Sequence, residues 1–557
     1  MTLGRRQFLG GALAGAAAGA GEPPSGVCPR SARPARVLWT LRIAELDTSG
    51  VGGVMQRPPQ RLPLTCLQGL VNRTGPQIFL VYDRFDELWL NWLRERGDVD
   101  EVRFVNGAQL YERFLGAATG LVVTDPAVPG TVNVATMLAG VHGWLPVPPQ
   151  LLDAFDLPIG MDLRKRWKKN IEAYRWFYSA YGARMSTRAC ACLDPGVFEL
   201  RDYLVEFRVP LIWVSGPRDP ARSAAASPEE EKQFARELFL NLPPNTPCLG
   251  WWDHGLEAEA GIGEIEGVRI ASQCAKFQIC SGWDGYGHPV SNLSVHSGTS
   301  AAFRQKVYDP PPLENKVYLT FTRTDGDGPN FWRHVFRKLW SDPEHGSVPI
   351  GWQLGPAAFE LIPDIIDYYY RHATPNDMFV NALTGLGYIH EEQYADFLPE
   401  EQQRKVWDEY IALSSRYFKL FDFTCLTTWR EMRRERLERF AELPGLRGMF
   451  LNYRRMETTT IEDIVTEVKG IPAFRAVAHG GGLLDTNTGI RRAVESTVAD
   501  IRRFTVPRRP AFVHVSLTNW AVAIKAVVEI ERALGGEYRV VRPDQMAALY
   551  RLAKARA

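Results

Sequence analysis

Beyond residue 312, short apolar runs alternate with longer stretches whose apolar positions recur every third or fourth residue. The short runs read as buried strands, and the longer ones as helices laid against them. Strands are expected at 317–322, 348–352, 378–382, 423–426, 448–453, 473–478 and 512–516. Helices are expected at 331–340, 357–371, 399–420, 430–443, 488–504 and 520–534, with a last strand–helix pair from Val540. Strands that are apolar on both faces and separated by helices belong to parallel sheets. Their number, about seven or eight, predicts a C-terminal (β/α) barrel, TIM-like or irregular, over residues 313–557.

Ahead of residue 312 the same rhythm is weaker. Strands are expected at 78–82, 121–123, 211–214, 248–252 and 277–280, and helices at 87–95, 163–181 and 200–207. Two proline clusters interrupt it, Pro146-Val147-Pro148-Pro149 and Pro310-Pro311-Pro312. Proline continues neither a helix nor a central strand, so both read as boundaries. Residues 36–150 form an N-terminal αβ domain on this reading, and 151–312 a middle αβ region. A chain of 557 residues is too long for one ordinary core, which agrees with several domains.

The N-terminus follows a different logic. Arg5-Arg6-Gln7-Phe8-Leu9 is a twin-arginine pattern, followed by an apolar, Ala/Gly-rich run that ends in Ala18-Gly19-Ala20. Residues 1–20 therefore read as a signal for the twin-arginine export route, and the mature chain as a periplasmic or extracellular protein. Residues 21–35, rich in Gly, Pro, Ser and Arg, read as a disordered lead-in. No later run is long enough to span a membrane.

Charge narrows the partners. With 65 basic and 64 acidic side chains the net charge is +1, and no basic excess exists to neutralise a nucleic acid. The local exception, Arg164-Lys165-Arg166-Trp167-Lys168-Lys169, reads as the solvated face of a helix. Eight cysteines lack zinc-ligand spacing; their even number and an exported context permit disulfides, and free buried thiols are the slightly favoured reading. No cofactor and no metal are implied. Serine-hydrolase elbow, phosphate loop and His-Glu-x-x-His are all missing. The oligomeric state is not legible.

Candidate chemistry gathers where the barrel's strands end. The first strand breaks into Thr324-Asp325-Gly326-Asp327-Gly328-Pro329. Asp325 and Asp327 are the expected catalytic carboxylates, since binding groups collect at the carboxyl end of parallel strands. An Asp-Gly turn that only caps local amides is the alternative. A calcium loop is excluded, because Phe336 stands where its bidentate glutamate is required. Trp352, Tyr388, His390 and Trp520, each near a strand end, are the expected substrate-binding residues. An indole or phenol ring packs on the C–H face of a sugar and still offers a hydrogen bond. An unperturbed imidazole titrates near neutrality, so a histidine at 390 could act as a general acid or base. His514, inside the last barrel strand, reads more readily as a hydrogen-bonded core residue. Trp283-Asp284-Gly285-Tyr286-Gly287-His288 reads as an interdomain loop.

Gly385-Leu386-Gly387-Tyr388-Ile389-His390-Glu391-Glu392 resembles the name-giving motif of the GxGYxYxP family of bacterial proteins. His390 stands at the family's second tyrosine and Glu392 at its proline. Thr324–Asp327, Ile350-Gly351-Trp352, Tyr369–Asp377, Ser291-Asn292-Leu293-Ser294-Val295 and Leu67-Gln68-Gly69-Leu70-Val71-Asn72-Arg73 match it in order. The resemblance implies glycoside hydrolysis, with a carbohydrate as the partner. Two other readings stay open. Leu319–Thr322 running into Asp325 faintly resembles the aspartate motif of metal-dependent polysaccharide deacetylases, but the His-x-x-x-His ligand pair is missing. A non-catalytic carbohydrate-binding protein would use the same aromatic residues.

Overall fold

A computed structural model describes residues 26–30, 35–43, 59–221, 223–254, 257–283, 289–324, 328–429, 432–451, 464–480, 487–518 and 522–556. The twin-arginine segment lies outside them. The chain divides into two compact units, Met1–Thr299 with Glu360–Asp364, and Ser300–Phe359 with Ile365–Ala557.

The first unit holds three small parallel sheets. β1 (Ala35–Arg42) lies between β2 (Ile78–Val81) and β3 (Val99–Phe104). β4 (Gly120–Val123) lies between β5 (Trp144–Val147) and β6 (Ile159–Asp162). The third sheet runs β12 (Lys276–Gln278), β9 (Thr246–Gly250), β7 (Cys190–Cys192), β8 (Leu211–Ile212). A hairpin of β10 (Asp253–His254) and β11 (Glu257–Gly261) stands apart. Pro146–Pro149 therefore falls inside the second sheet, where it ends β5. The helix Gly130–His142 gave no sequence signal because it is buried nearly all round, which erases the amphipathic period. All eight cysteines are buried free thiols.

Two of the motif stretches meet in this unit and hold it together. Gln68 Nε2 donates to Asn292 Oδ1 at 2.7 Å, and Asn72 Nδ2 to Ser294 Oγ at 2.8 Å. Asn292 in turn bridges the edge of β2, accepting from Leu80 N and donating to Leu80 O. Asp86 accepts from both Ser291 and Asn292. A buried polar network with this many cross-links favours one packing of its helices and strands.

Asp202 sits beside this network, fully buried, and accepts from Ser294 N at 2.9 Å. Burial raises its pKa from 3.8 to about 6, against the opposing hydrogen bond from Ser294. The folded state thus holds a proton that the unfolded state has already released. Stability should fall as pH climbs from about 4 to about 6, and the loss should be complete above that. Two pKa units correspond to about 3 kcal/mol. Asp202→Asn should flatten that part of the melting-temperature profile and melt above the parent at pH 8. An unchanged difference between parent and variant from pH 4 to pH 8 would contradict the assignment.

The second unit is a closed barrel of seven parallel strands. In spatial order they are β14 (Ile350–Leu354), β15 (Asp377–Asn381), β16 (Cys425–Thr428), β17 (Gly448–Leu451), β19 (Ile471–Gly480), β20 (Ala511–Leu517) and β13 (Val317–Arg323). β18 (Val465–Val468) pairs antiparallel with β19. β13 closes on β14 only at its end, through Thr322↔Gly351 and Arg323↔Trp352. Its first half pairs instead with β21 (Tyr538–Val540). Gly351 is needed at this seam, because a Cβ there would stand 2.6 Å from Pro543 Cγ.

Alternation along the strands turns Tyr318, Thr320 and Thr322, and Phe512, His514 and Ser516, into the barrel. The lower lumen is plugged by Tyr318, Met378, Val380, Cys425, Phe450, Phe474 and Phe512, with Met546, Ala547 and Leu549 of the last helix. The upper lumen is polar.

Several helices depart from the sequence pattern for local reasons. The stretch 331–340 breaks at His334 (φ −112°, ψ −88°) into Gly328–Arg333 and Val335–Trp340. The stretch 357–371 breaks before Pro363 into Ala358–Leu361 and Pro363–His372. The helix expected from 163 begins only at Asn170. The basic cluster before it is a turn, with Lys165 at φ 60°, and not a helical face.

Candidate functional site

The open mouth of the barrel is the set of strand ends that follow this polar layer. Asp325, Asp327 and Trp520 lie outside the described residues. What leads into them is described. β13 ends in Arg323, which is fully buried and donates from Nη2 to Val522 O at 2.5 Å. Burial lowers its pKa to about 9, with Asp342 acting weakly the other way. Arg333 and His334, both buried, follow within the next helical turns, 3.1 Å apart between Nη1 and Nε2. Asp325 and Asp327 are therefore bracketed in sequence by two buried guanidinium groups and an imidazole.

Trp352 lies elsewhere than a sugar platform requires. Gly351 takes the inward phase of β14, which sends the indole outward into the layer between strand and helices. Its N–H donates to Asp377 Oδ1 at 2.7 Å. Its ring stacks on Phe336 at 4.9 Å and meets the edge of Trp340 at 5.2 Å. At 1% exposure no face of this ring is open to a ligand.

Tyr388 and His390 do come together, with a partner that the sequence pattern did not single out. Trp429, half-buried, directly follows β16. His390 stacks flat on it, 4.9 Å between centroids and 6° between planes. Tyr388 lies 4.8 Å from the same indole, tilted by 53°. An imidazole is a flat aromatic ring, so His390 can stack on an indole although the motif has a tyrosine there. The available signal for Trp429 was its place, the first residue after a Thr-Thr strand end.

The turn that carries these rings is strained. Leu383, Thr384 and Gly385 have consecutive φ values of 38°, 71° and 89°. Residues other than glycine rarely adopt this region, and such strain clusters at functional sites. The surroundings hold it in place. Asn381 accepts from Gly385 N and donates to Gly385 O. Tyr410 donates its hydroxyl to Thr384 O at 2.7 Å and accepts from Leu386 N. Thr384 Oγ1 donates to Glu391 Oε1 at 2.9 Å. Glu391, 2% exposed, is a second site residue that sequence reasoning passed over.

Below the mouth, Thr322 Oγ1 and His514 Nε2 are 2.8 Å apart, and His514 stands edge-on to Phe450 at 5.1 Å. His514 is thus hydrogen-bonded and buried, as a core residue is, but inside the lumen. One step higher, Ser516 Oγ is buried, without a hydrogen-bond partner among the described residues. The lumen thus passes from an aromatic floor to an imidazole and hydroxyls. Such a site can hold hydroxyl-bearing ligands and move protons. Among the described residues, no three His, Cys, Asp or Glu side chains converge as a metal set.

Models of four GxGYxYP domains match consecutive parts of this chain. The first matches residues 53–115, the second 118–185 and the third 187–298. The "GxGYxYP putative glycoside hydrolase C-terminal domain" matches residues 315–551. That spelling of the motif sets the proline against Glu391, not Glu392. A solved "putative hydrolase" of Bacteroides thetaiotaomicron VPI-5482 is similar in fold, with a TM-score of 0.75 at 20% identity. The match covers 95% of this chain and 97% of that one. A "putative polysaccharide deacetylase" of Mycobacterium smegmatis aligns over 45% of this chain and 96% of its own, at 13% identity. Its TM-score of 0.31 is too low to argue from. The comparison with curated proteins finds no match.

Proposed function

The chain belongs to the GxGYxYP family, and from that premise we propose that it is an exported glycoside hydrolase whose reaction runs at the mouth of its barrel. Asp325 or Asp327 transfers the proton, and Tyr388, His390, Trp429 and Trp520 wall the sugar. The observation that supports this reading is the strained turn Leu383–Gly385, beyond which Tyr388 and His390, both buried, pack on the half-buried Trp429 that follows β16. Strain of this kind is maintained where a precise wall is required. Glycosidic cleavage needs carboxyl groups on either side of the bond, and the sequence that follows β13 holds two, Asp325 and Asp327.

The test is hydrolysis of a panel of oligosaccharides and aryl glycosides by the purified mature chain. Turnover should survive exhaustive chelation, since carboxylate acid–base chemistry needs no metal. Loss of activity on chelation, with recovery on adding a divalent ion, would replace this reading by metal-assisted deacetylation. Binding of a glycan with no turnover would leave a carbohydrate-binding protein.

Export rests on the Arg5-Arg6 pattern and the apolar run to Ala20. Among the described residues, no helix is long and apolar enough to cross a membrane. Changing both arginines to lysine should leave the precursor in the cytoplasm. Processing and export at the parent's rate would remove the twin-arginine route.

A further inference from the structure

We propose that the second sheet of the first unit carries a surface site for an anionic polysaccharide, built from a strip of aromatic rings edged by cations and separate from the barrel. The strip rests on Trp144, the first residue of β5, whose ring lies against Gly160 and serves as its base. His142, at the end of the helix Gly130–His142, stacks on it with centroids 4.2 Å apart. Tyr181, at the end of the helix Asn170–Tyr181, meets the same imidazole edge-on at 5.0 Å. Trp176 on that helix lies 5.8 Å from Tyr181, and Trp167, from the turn before it, 5.2 Å from Trp176. All five rings are half-buried. A run of large aromatics left partly open to water, where most of their kind in this chain are buried, is a feature of surfaces that meet a partner.

Charge says which partner. Residues 162–184 hold seven basic and two acidic side chains, an excess of five in a chain whose net charge is +1. Arg164 is spent on Asp162 and Arg175 on Glu230, and Lys169 Nζ on Ala224 O. Arg166 and Lys168 are exposed beside Trp167, with no ion pair among the described residues. Burial, then Arg184, lowers the pKa of His142, so near neutrality this ring is an aromatic surface and not a further charge. Aromatic rings accept the C–H faces of sugars, and unpaired cations favour carboxylate or sulfate groups along the chain.

Aromatic and basic side chains together also suit single-stranded nucleic acid, but stacked bases need successive near-parallel ring faces. Here the angles between neighbouring rings run 10°, 89°, 76° and 46°. A glycan, whose successive rings turn along the chain, suits such a strip better.

The test is affinity electrophoresis of the intact mature chain in native gels containing polygalacturonate, chondroitin sulfate, hydroxyethyl cellulose or oligo(dT). Retardation is expected in the two anionic polysaccharides and not in the neutral one, and it should weaken in about 0.5 M salt. Trp167→Ala or Trp176→Ala should weaken binding about tenfold. Arg166→Glu with Lys168→Glu, both exposed, should abolish it, with an unchanged melting temperature showing that the chain still folds. Asp325→Asn should bind as the parent does, so a failure of the hydrolase reading leaves this one standing. The proposal is overturned by no retardation in either anionic glycan, or by retardation that survives the double charge reversal. Tighter binding to oligo(dT) than to the glycans would overturn it too.

Discussion

Asparagine at Asp325 or at Asp327 is expected to slow hydrolysis by ~10²–10⁴-fold while the chain still folds. The substitution keeps the shape of the side chain and most of its hydrogen bonds but cannot exchange a proton. Both residues follow β13, which is buried along its whole length and paired to β20 over seven residues. The strand therefore stays in place whichever side chain ends it. The effect should fall on kcat more than on KM, because proton transfer belongs to the transition state. If one aspartate acts as the acid and the other only holds a hydroxyl, the two variants should differ by an order of magnitude or more. Full activity in both, on a substrate that the parent cleaves, would end the assignment.

Alanine at Gly385 is expected to cost about 2–5 kcal/mol and to disable the mouth. The position sits at φ 89°, where a Cβ alone costs ~1–2 kcal/mol. The new carbon would stand 2.7 Å from Ser414 Oγ, 3.0 Å from Tyr410 Cε1 and 3.1 Å from Phe440 Cε1. Overpacking of this kind adds ~1–3 kcal/mol. Tyr410 is also the residue that holds Thr384 O and Leu386 N. A shift there displaces Tyr388 and His390 from Trp429. Ser414→Gly should recover part of the stability by removing the closest contact, without relieving the backbone. Melting temperature and turnover measured on the single and double variants check both parts. A Gly385→Ala chain as stable as the parent would mean that the turn is not clamped as described.

The barrel's strands were readable because each is a compact apolar run between helices, and every expected position from 317 to 516 overlaps an observed strand. The ring closure was less so. Whether β13 meets β14 depends on Gly351 and Pro543 fitting at one seam, and no local pattern reports that. The helices were harder at their breaks. His334 interrupts a segment whose apolar spacing runs straight through it. The basic cluster at Arg164–Lys169 had the composition of a helical face, but it precedes the helix, and its tryptophan packs on Trp176.

The sites divide in the same way. Composition and order along the chain were enough to mark the aspartate turn, the glycine motif and the aromatic residues near strand ends. They also carried the family, because motif order survives where geometry is unseen. Only the folded chain decided which way each ring points. Trp352 and Tyr388 looked equivalent as aromatic residues at strand ends. One residue of phase on β14 sent Trp352 into the outer packing, while the strained turn after β15 brought Tyr388 and His390 onto Trp429. Trp429 and Glu391 became visible only there, since contacts between strand ends join residues distant in sequence. The alternation of a strand is local and legible, but which face meets the lumen is set by how seven strands close.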